Sequence, residues 1–206
     1  MVQPFFLVLL AIYAWLGVQR GDPPWQIFAF WVIVSVSILV HELGHAFTCR
    51  ALGVEVHGIT LHGLGGHVSR GRSGPGKSLA ISLAGPGAGM LLGFTLLGLF
   101  WATGATQDPR VAVIAQQLLW VNIGWSILNL LPMRPLDGGN ALLSSLQLVV
   151  PTWAVGVTAA VGLICALGLV GLGLLWDAPF LLIFGGLAAW TNASGLRRMP
   201  EDTRTG

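Results

Sequence analysis

The chain has 206 residues, of which 54% are hydrophobic and only 9% are charged. An ordinary soluble domain has about 25% charged residues, so this composition excludes one and predicts an integral membrane protein in contact with the lipid bilayer. The formal net charge is only +2, and the basic residues are scattered over short connections. Because nucleic-acid binding needs a dense basic surface, we expect no nucleic-acid partner.

Six apolar runs, bounded by Gly, Pro or charged residues, are long enough to cross a hydrocarbon core of about 30 Å as helices. The runs cover residues 4–19, 26–51, 78–102, 111–131, 152–176 and 178–196. We interpret the first run as a retained helix, because it lacks the basic start and the cleavage site of a signal peptide. A shorter apolar piece, Asn140 to Val150, ends at Pro151 and predicts a half-helix. The predicted fold is an all-α polytopic membrane protein with about six transmembrane helices in a single domain, residues 1–206.

Basic residues divide unevenly between the two sides of a six-span topology. Arg20 and Arg110 lie on one side. The side that carries both termini has the others: Arg50, Arg70, Arg72, Lys77, Arg134, Arg197, Arg198 and Arg204. Since cytoplasmic loops carry an excess of Lys and Arg, both termini are predicted to be cytoplasmic.

The connection after the second run, residues 53–77, has no helical pattern. An alternating apolar stretch from Val54 to Leu61 leads into a glycine-rich turn and then Val68. This pattern predicts a membrane-associated β-hairpin or re-entrant loop. At membrane depth such backbone is tolerated only against protein or in a wet cavity.

Two histidines and a glutamate, His41, Glu42 and His45, interrupt the second apolar run. The spacing of four residues puts both imidazoles on one face of a helix, where they can bind a single Zn²⁺. Glu42 lies beside them, within reach of a water on the metal, and is predicted to be the general base. The alternative is a histidine pair that braces helices, but a carboxylate inside an apolar span favours a functional site.

A catalytic zinc site of this kind needs a third protein ligand and one open position. Asp137 is our first candidate, since it follows the fourth run in a stretch whose helix is interrupted by Pro132, Pro135, Gly138 and Gly139. An aspartate before two glycines is also common as a turn or cap residue, and that alternative stays open.

Four further residues are weaker candidates for metal binding. Cys49 lies one helical turn beyond His45 on the same face, so a site with two histidines and a cysteine is conceivable. His57, His62 and His67 are evenly spaced in the hairpin connection. Loop histidines are usually solvated, and gating or pH sensing fits them better than permanent ligation.

These motifs resemble the site-2 protease family of intramembrane zinc metalloproteases, in its compact form without a PDZ or CBS domain. The resemblance rests on His-Glu-Leu-Gly-His in the second run, on the small residues 84–89 of the third, and on residues 129–139. It implies His41, His45 and Asp137 as zinc ligands and Glu42 as the base.

The resemblance also implies a catalytic core over residues 26–140, with accessory helices in 1–25 and 151–196 and a polar tail in 197–206. It implies that Asn129 helps near the scissile carbonyl. It further implies that the substrate contacts these residues: Gly65, Gly66 and Pro135.

The function implied is hydrolysis of peptide bonds in or near transmembrane segments of membrane-anchored proteins, as in regulated intramembrane proteolysis. Family substrates include anti-sigma factors and transcription-factor precursors, the expected location is a bacterial or archaeal cell membrane, and a regulatory membrane partner is a further expectation. Two alternatives remain. A metal transporter would repeat its ligands along a path, and a non-catalytic membrane scaffold would explain the glycine-rich spans but not Glu42.

Overall fold

The computed structural model describes residues 4–62 and 65–197. The described helices are α1 (Pro4–Arg20), α2 (Pro24–Ala51), α3 (Pro75–Thr103), α4 (Pro109–Leu119), α5 (Trp125–Asn129), α6 (Asp137–Val149), α7 (Ala154–Leu175) and α8 (Pro179–Arg197). The strands are β1 (Val56–His62) and β2 (Gly65–Arg70). A 3₁₀ turn, Ala105–Gln107, precedes α4. A π-helical turn, Trp120–Gly124, joins α4 to α5, so that Pro109–Asn129 runs as one helix.

Five described helices are long and apolar enough to cross a membrane: Pro24–Ala51, Pro75–Thr103, Pro109–Asn129, Ala154–Leu175 and Pro179–Leu196. The first predicted span is the 17-residue helix α1, which rises roughly 26 Å. Large apolar side chains such as Leu91, Trp101 and Ile164 are exposed on these helices. Lipid is the solvent that favours such surfaces, and the predicted helical membrane fold is confirmed.

Proline fixes the start of several helices. Proline is the first residue of α2, α3, α4 and α8: Pro24, Pro75, Pro109 and Pro179. A backbone N–H at this position would have no hydrogen-bond partner within the helix, and the fixed φ of proline is close to the helical value. Asp108 caps α4 by accepting a hydrogen bond from the Arg110 N–H at 2.7 Å. The span boundaries read from the sequence therefore lie within a few residues of the observed ones.

The described chain falls into two compact units, and the first comprises residues up to 72 together with 84–128. Helix α2 is its centre and contacts α1, α4 and both strands. The rings of Tyr13 and Phe30 stack 3.8 Å apart between α1 and α2. Helix α3 approaches α2 closely at Gly44, where an added β-carbon would lie 2.5 Å from the Ala84 carbonyl oxygen. Glycine at this crossing is what allows the two backbones to meet.

The π-helical turn places two buried polar side chains against α3. Asn122, inside the turn, and Ser126 are each 1% exposed. An added β-carbon at Gly93 would contact the Asn122 side chain, and one at Gly89 would overlap the Ser126 hydroxyl. The Asn122 amide also donates to the Leu118 carbonyl at 2.9 Å. The small residues of α3 thus leave room for polar side chains of the fourth span as well as for the backbone of α2.

The predicted β-hairpin is confirmed. Strands β1 and β2 pair antiparallel, with Ile59 opposite Val68 and His62 opposite Gly65. A bulge between Val56 and Gly58 ends the regular ladder. Residues 63 and 64, which follow β1 in the sequence, lie outside the described range.

The second unit comprises residues 73–83 and those from 129 onward. The predicted half-helix is α6, which begins three residues earlier than predicted, at Asp137. Helices α7 and α8 pack along each other, and Gly173 and Gly185 leave no room for side chains between them. A buried apolar cluster joins the loop before α6 to these two helices: Met133, Leu136, Ala166, Phe184 and Ala188. The single domain expected from the sequence remains a prediction.

Candidate metal centre

The first unit holds His41, Glu42 and His45 on consecutive turns of α2. All three side chains are buried, with 7%, 3% and 7% exposure. The two imidazole rings meet edge to face with centroids 4.9 Å apart. The Nε2 atoms are 3.2 Å apart, so both rings present the same nitrogen to one point.

This geometry fits a metal ion. Two nitrogens bound to one tetrahedral zinc at about 2.05 Å lie roughly 3.3 Å apart, close to the observed Nε2 separation of 3.2 Å. One ligand atom from each of His41, Glu42 and His45 lies within 4.8 Å of the other two. Imidazole and carboxylate are ligands that zinc accepts.

Helix α3 closes one side of the imidazole pair at Gly85. An added β-carbon at this residue would overlap His45 Nε2 and would lie 2.7 Å from His41 Nε2. Only glycine leaves the ring nitrogens accessible at this crossing. The small residues 84–89 contributed to the family resemblance, but the sequence did not identify Gly85 as a neighbour of the imidazole nitrogens.

Strand β2 closes another side at Gly66. An added β-carbon there would overlap the carboxylate of Glu42, so the β2 backbone lies directly against the predicted base. Gly65 is the preceding residue of the same strand. The structure thus brings Gly66 to the predicted site, whereas a contact of either glycine with substrate stays a prediction.

Three other predicted site residues belong to the second unit. Asp137 is the first residue of α6 and is half-buried. Asn129 ends α5 and is buried, and Pro135 is exposed and follows a cis peptide bond from Arg134. Zinc binding by Asp137 and the roles of Asn129 and Pro135 stay predictions.

The weaker metal candidates lie outside the cluster. Within the described residues, the group able to hold a metal consists of His41, Glu42 and His45, without Cys49. Cys49 is fully buried. His57 is half-exposed, with its Nδ1 3.7 Å from a Glu55 carboxylate oxygen. His67, on strand β2, is exposed, and the side chain of His62 lies outside the described part.

Comparison with known proteins agrees with this site. The family model described as peptidase family M50 matches residues 29–107, a range that contains all three cluster residues and the hairpin. The putative zinc metalloprotease Rip2 of Mycolicibacterium smegmatis is 30% identical over an alignment 183 positions long, and the match covers 68% of this chain and 69% of the relative. The chain belongs to peptidase family M50. This M50 member is also 34% identical over 186 residues to the putative zinc metalloprotease Rip3 of Mycobacterium tuberculosis.

The match with Rip3 covers 82% of this chain but 47% of Rip3. The chain therefore spans about half the length of this relative. Among solved structures, the site-2 protease from Methanocaldococcus jannaschii matches with a TM-score of 0.68 at 22% identity. The match covers 97% of this chain and 91% of that chain. The site-2 protease fold predicted from the motifs is therefore confirmed.

Proposed function

We propose that this M50 member is a zinc metalloprotease that hydrolyses peptide bonds in or next to the membrane spans of membrane-anchored proteins. The observation that carries the proposal is the burial of His41, Glu42 and His45 inside an apolar helix, with imidazole nitrogens 3.2 Å apart. Burying a carboxylate beside two imidazoles in a membrane span is costly and favours a functional site. The names of Rip2 and Rip3, both putative zinc metalloproteases, support zinc as the metal.

His41, His45 and Asp137 are the proposed zinc ligands. Support for Asp137 comes from the Leu-Asp-Gly-Gly stretch at residues 136–139 and from family membership. When bound, zinc supplies a Lewis acid that lowers the pKa of water in the site and polarises the scissile carbonyl.

Glu42 is the proposed general base. The attacking water forms a bond to the carbonyl carbon and gives a proton to the Glu42 carboxylate. The C–N bond then breaks, and Glu42 passes that proton to the leaving amine nitrogen. Its 3% exposure keeps bulk water away from this transfer. The Asn129 amide is proposed to donate a hydrogen bond to the developing oxyanion.

The hairpin is the proposed substrate-binding element. A transmembrane substrate helix hides its carbonyls in internal hydrogen bonds, so it must unwind before attack. In a two-stranded sheet each strand has one edge outside the ladder, and an unwound segment can add there as a further strand. Because Gly66 lies against the Glu42 carboxylate, a segment added along β2 runs close to the base. Pro135 is proposed as a further substrate contact.

The proposed orientation has both termini in the cytoplasm of a bacterial or archaeal cell. The uneven distribution of Lys and Arg over the connections supports it. Membrane-anchored regulatory proteins are the proposed substrates, and control by a membrane partner is part of the same proposal.

A comparison of membrane-protein fragments tests the function directly. Cells producing the wild type, Glu42→Gln or the exposed-site control Glu55→Gln are compared by quantitative proteomics, and zinc is measured in each purified protein. We expect wild type and Glu55→Gln to release the same fragments, whereas Glu42→Gln keeps zinc and releases none. Fragment release by Glu42→Gln at the wild-type level contradicts the assigned base. Zinc transport into vesicles without any fragment release would favour the transporter alternative.

A further inference from the structure

The loop that leads into Asp137 is held by a side chain from the last helix. Asn192, on α8, is 1% exposed. Its Nδ2 donates to the Arg134 carbonyl oxygen at 2.8 Å, and its Oδ1 accepts from the Arg134 N–H at 3.3 Å. Nδ2 also donates to the Ala188 carbonyl of its own helix at 2.7 Å. One amide group thus pairs with both backbone polar groups of Arg134, three residues before the proposed ligand.

The peptide between Met133 and Arg134 also packs against the first turn of α6. An added β-carbon at Gly139 would lie 2.6 Å from the Arg134 nitrogen, and one at Gly138 would overlap the Leu130 carbonyl. The Arg134 backbone therefore contacts both the Asn192 amide and Gly139. Since Gly139 is two residues after Asp137, any shift of this peptide is transmitted to the start of α6.

Helix α7 fixes the position of Asn192 itself. An added β-carbon at Gly162 would overlap Asn192 Oδ1, so the amide lies directly against α7. Met133 and Leu136, on either side of the held peptide, are buried among apolar residues of α7 and α8. These contacts leave the amide little freedom to rotate away.

We propose that Asn192 is a positioning residue that holds Asp137 in place for metal binding, through the Arg134 backbone and the first turn of α6. The inference rests on the proposed function, in which Asp137 is a zinc ligand. Of the neutral side chains of this size, the amide supplies the donor and acceptor that the two Arg134 groups require. An apolar residue at 192 would leave both groups without these partners, which favours a rearranged loop.

Metal affinity is the readout that separates positioning from general stability. Zinc dissociation constants of purified full-length protein are measured by competition with a chromophoric chelator, for wild type, Asn192→Leu and Gly162→Ala. Gly162→Ala displaces the Asn192 amide but keeps its hydrogen-bonding groups. It is the test variant to use if Asn192→Leu does not fold. Thr158→Val is the matched control, because Thr158 on α7 is also 1% exposed and its hydroxyl has no hydrogen-bond partner among the described residues.

We expect zinc to bind about 10- to 100-fold more weakly to Asn192→Leu and Gly162→Ala, the usual cost of losing a group that orients a ligand. Thr158→Val should bind as the wild type does. The absorption bands of the cobalt-substituted protein should change in the two test variants and stay unchanged in the control. Wild-type affinity and cobalt spectrum in the folded test variants overturn the role of Asn192 while leaving the proposed function intact. A wild-type protein that binds no zinc contradicts the proposed function instead.

Discussion

The backbone of Gly66 lies against the carboxylate of Glu42, so closely that a β-carbon at residue 66 would overlap Glu42 Oε1. Gly66 belongs to strand β2 and Glu42 to helix α2. The hairpin is therefore in direct contact with the proposed catalytic base, and residue 66 limits where that carboxylate can lie.

Replacing Gly66 by alanine should impair catalysis without removing the metal. The added methyl group must displace Glu42 or lift β2, and a displacement of about 1 Å can lower the rate about 100-fold. Gly58→Ala is the control in the same hairpin, since an added β-carbon there meets nothing within 4 Å. Cleavage rates of a membrane-anchored substrate and zinc content are measured for both. Equal rates for Gly66→Ala and wild type would show that Glu42 is not constrained by β2.

Replacing Gly85 by alanine should weaken metal binding. Its β-carbon would overlap His45 Nε2, so the imidazole must rotate out of the shared position. We expect a zinc dissociation constant at least about tenfold higher, by analogy with the loss of a supporting contact at a metal site. Gly87→Ala, on the same helix, has open space within 4 Å of its added carbon and should bind zinc normally. Unchanged affinity in Gly85→Ala would place the metal elsewhere.

Removing a proposed zinc ligand should weaken zinc binding more than removing a residue that supports a ligand. His45→Ala and Asp137→Ala are each expected to weaken zinc binding by more than about 100-fold and to abolish cleavage. The exposed Asp177, replaced by asparagine, is the control for loss of one carboxylate. Metal content is measured after dialysis against buffered zinc. Full occupancy in Asp137→Ala would exclude that aspartate as the third ligand.

In the proposed topology both termini lie on the cytoplasmic side of the membrane. Reporters fused to the N-terminus and to the C-terminus should both be active in the cytoplasm, because the Lys and Arg excess lies on the side of both termini. A third reporter, inserted at the turn Ala105–Gln107, is expected on the opposite side. Termini on opposite sides would mean an odd number of crossings and would remove α1 or another helix from the set of spans.

Much of the fold could be predicted from the sequence because a lipid bilayer permits few backbone structures. A spanning segment must satisfy its backbone internally, so long apolar runs between Pro and Gly predict helices with good boundaries. The hairpin was predictable from alternation and its glycine turn. The π-helical turn at Trp120–Gly124 was not, since no residue pattern in the fourth apolar run marks a change of helical period.

The site was predictable where its residues are close in sequence. His41, Glu42 and His45 are related by helical spacing alone, which the structure reproduces with Nε2 atoms 3.2 Å apart. Gly85 of α3 and Gly66 of β2 contact the site because two backbones approach closely there. A glycine has no side chain that would indicate such a contact in the sequence. Gly85 was therefore noted only as one of the small residues 84–89. Asn192 was not predicted, because its partner is backbone and lies 58 residues away along the chain.

The π-helical turn also sets how the two halves of the fourth span face their neighbour. A π turn holds about one residue more than an α turn, so the helix after it is rotated by about 100° relative to an uninterrupted one. With that rotation, Ser126 meets α3 at Gly89 while Asn122 meets it at Gly93. If the turn became α-helical with all its residues kept, Ser126 would rotate away from Gly89, whereas loss of one residue from the turn would restore a regular helix and keep Ser126 in place. The π turn thus accommodates one residue more than a regular helix would, while Ser126 stays against Gly89.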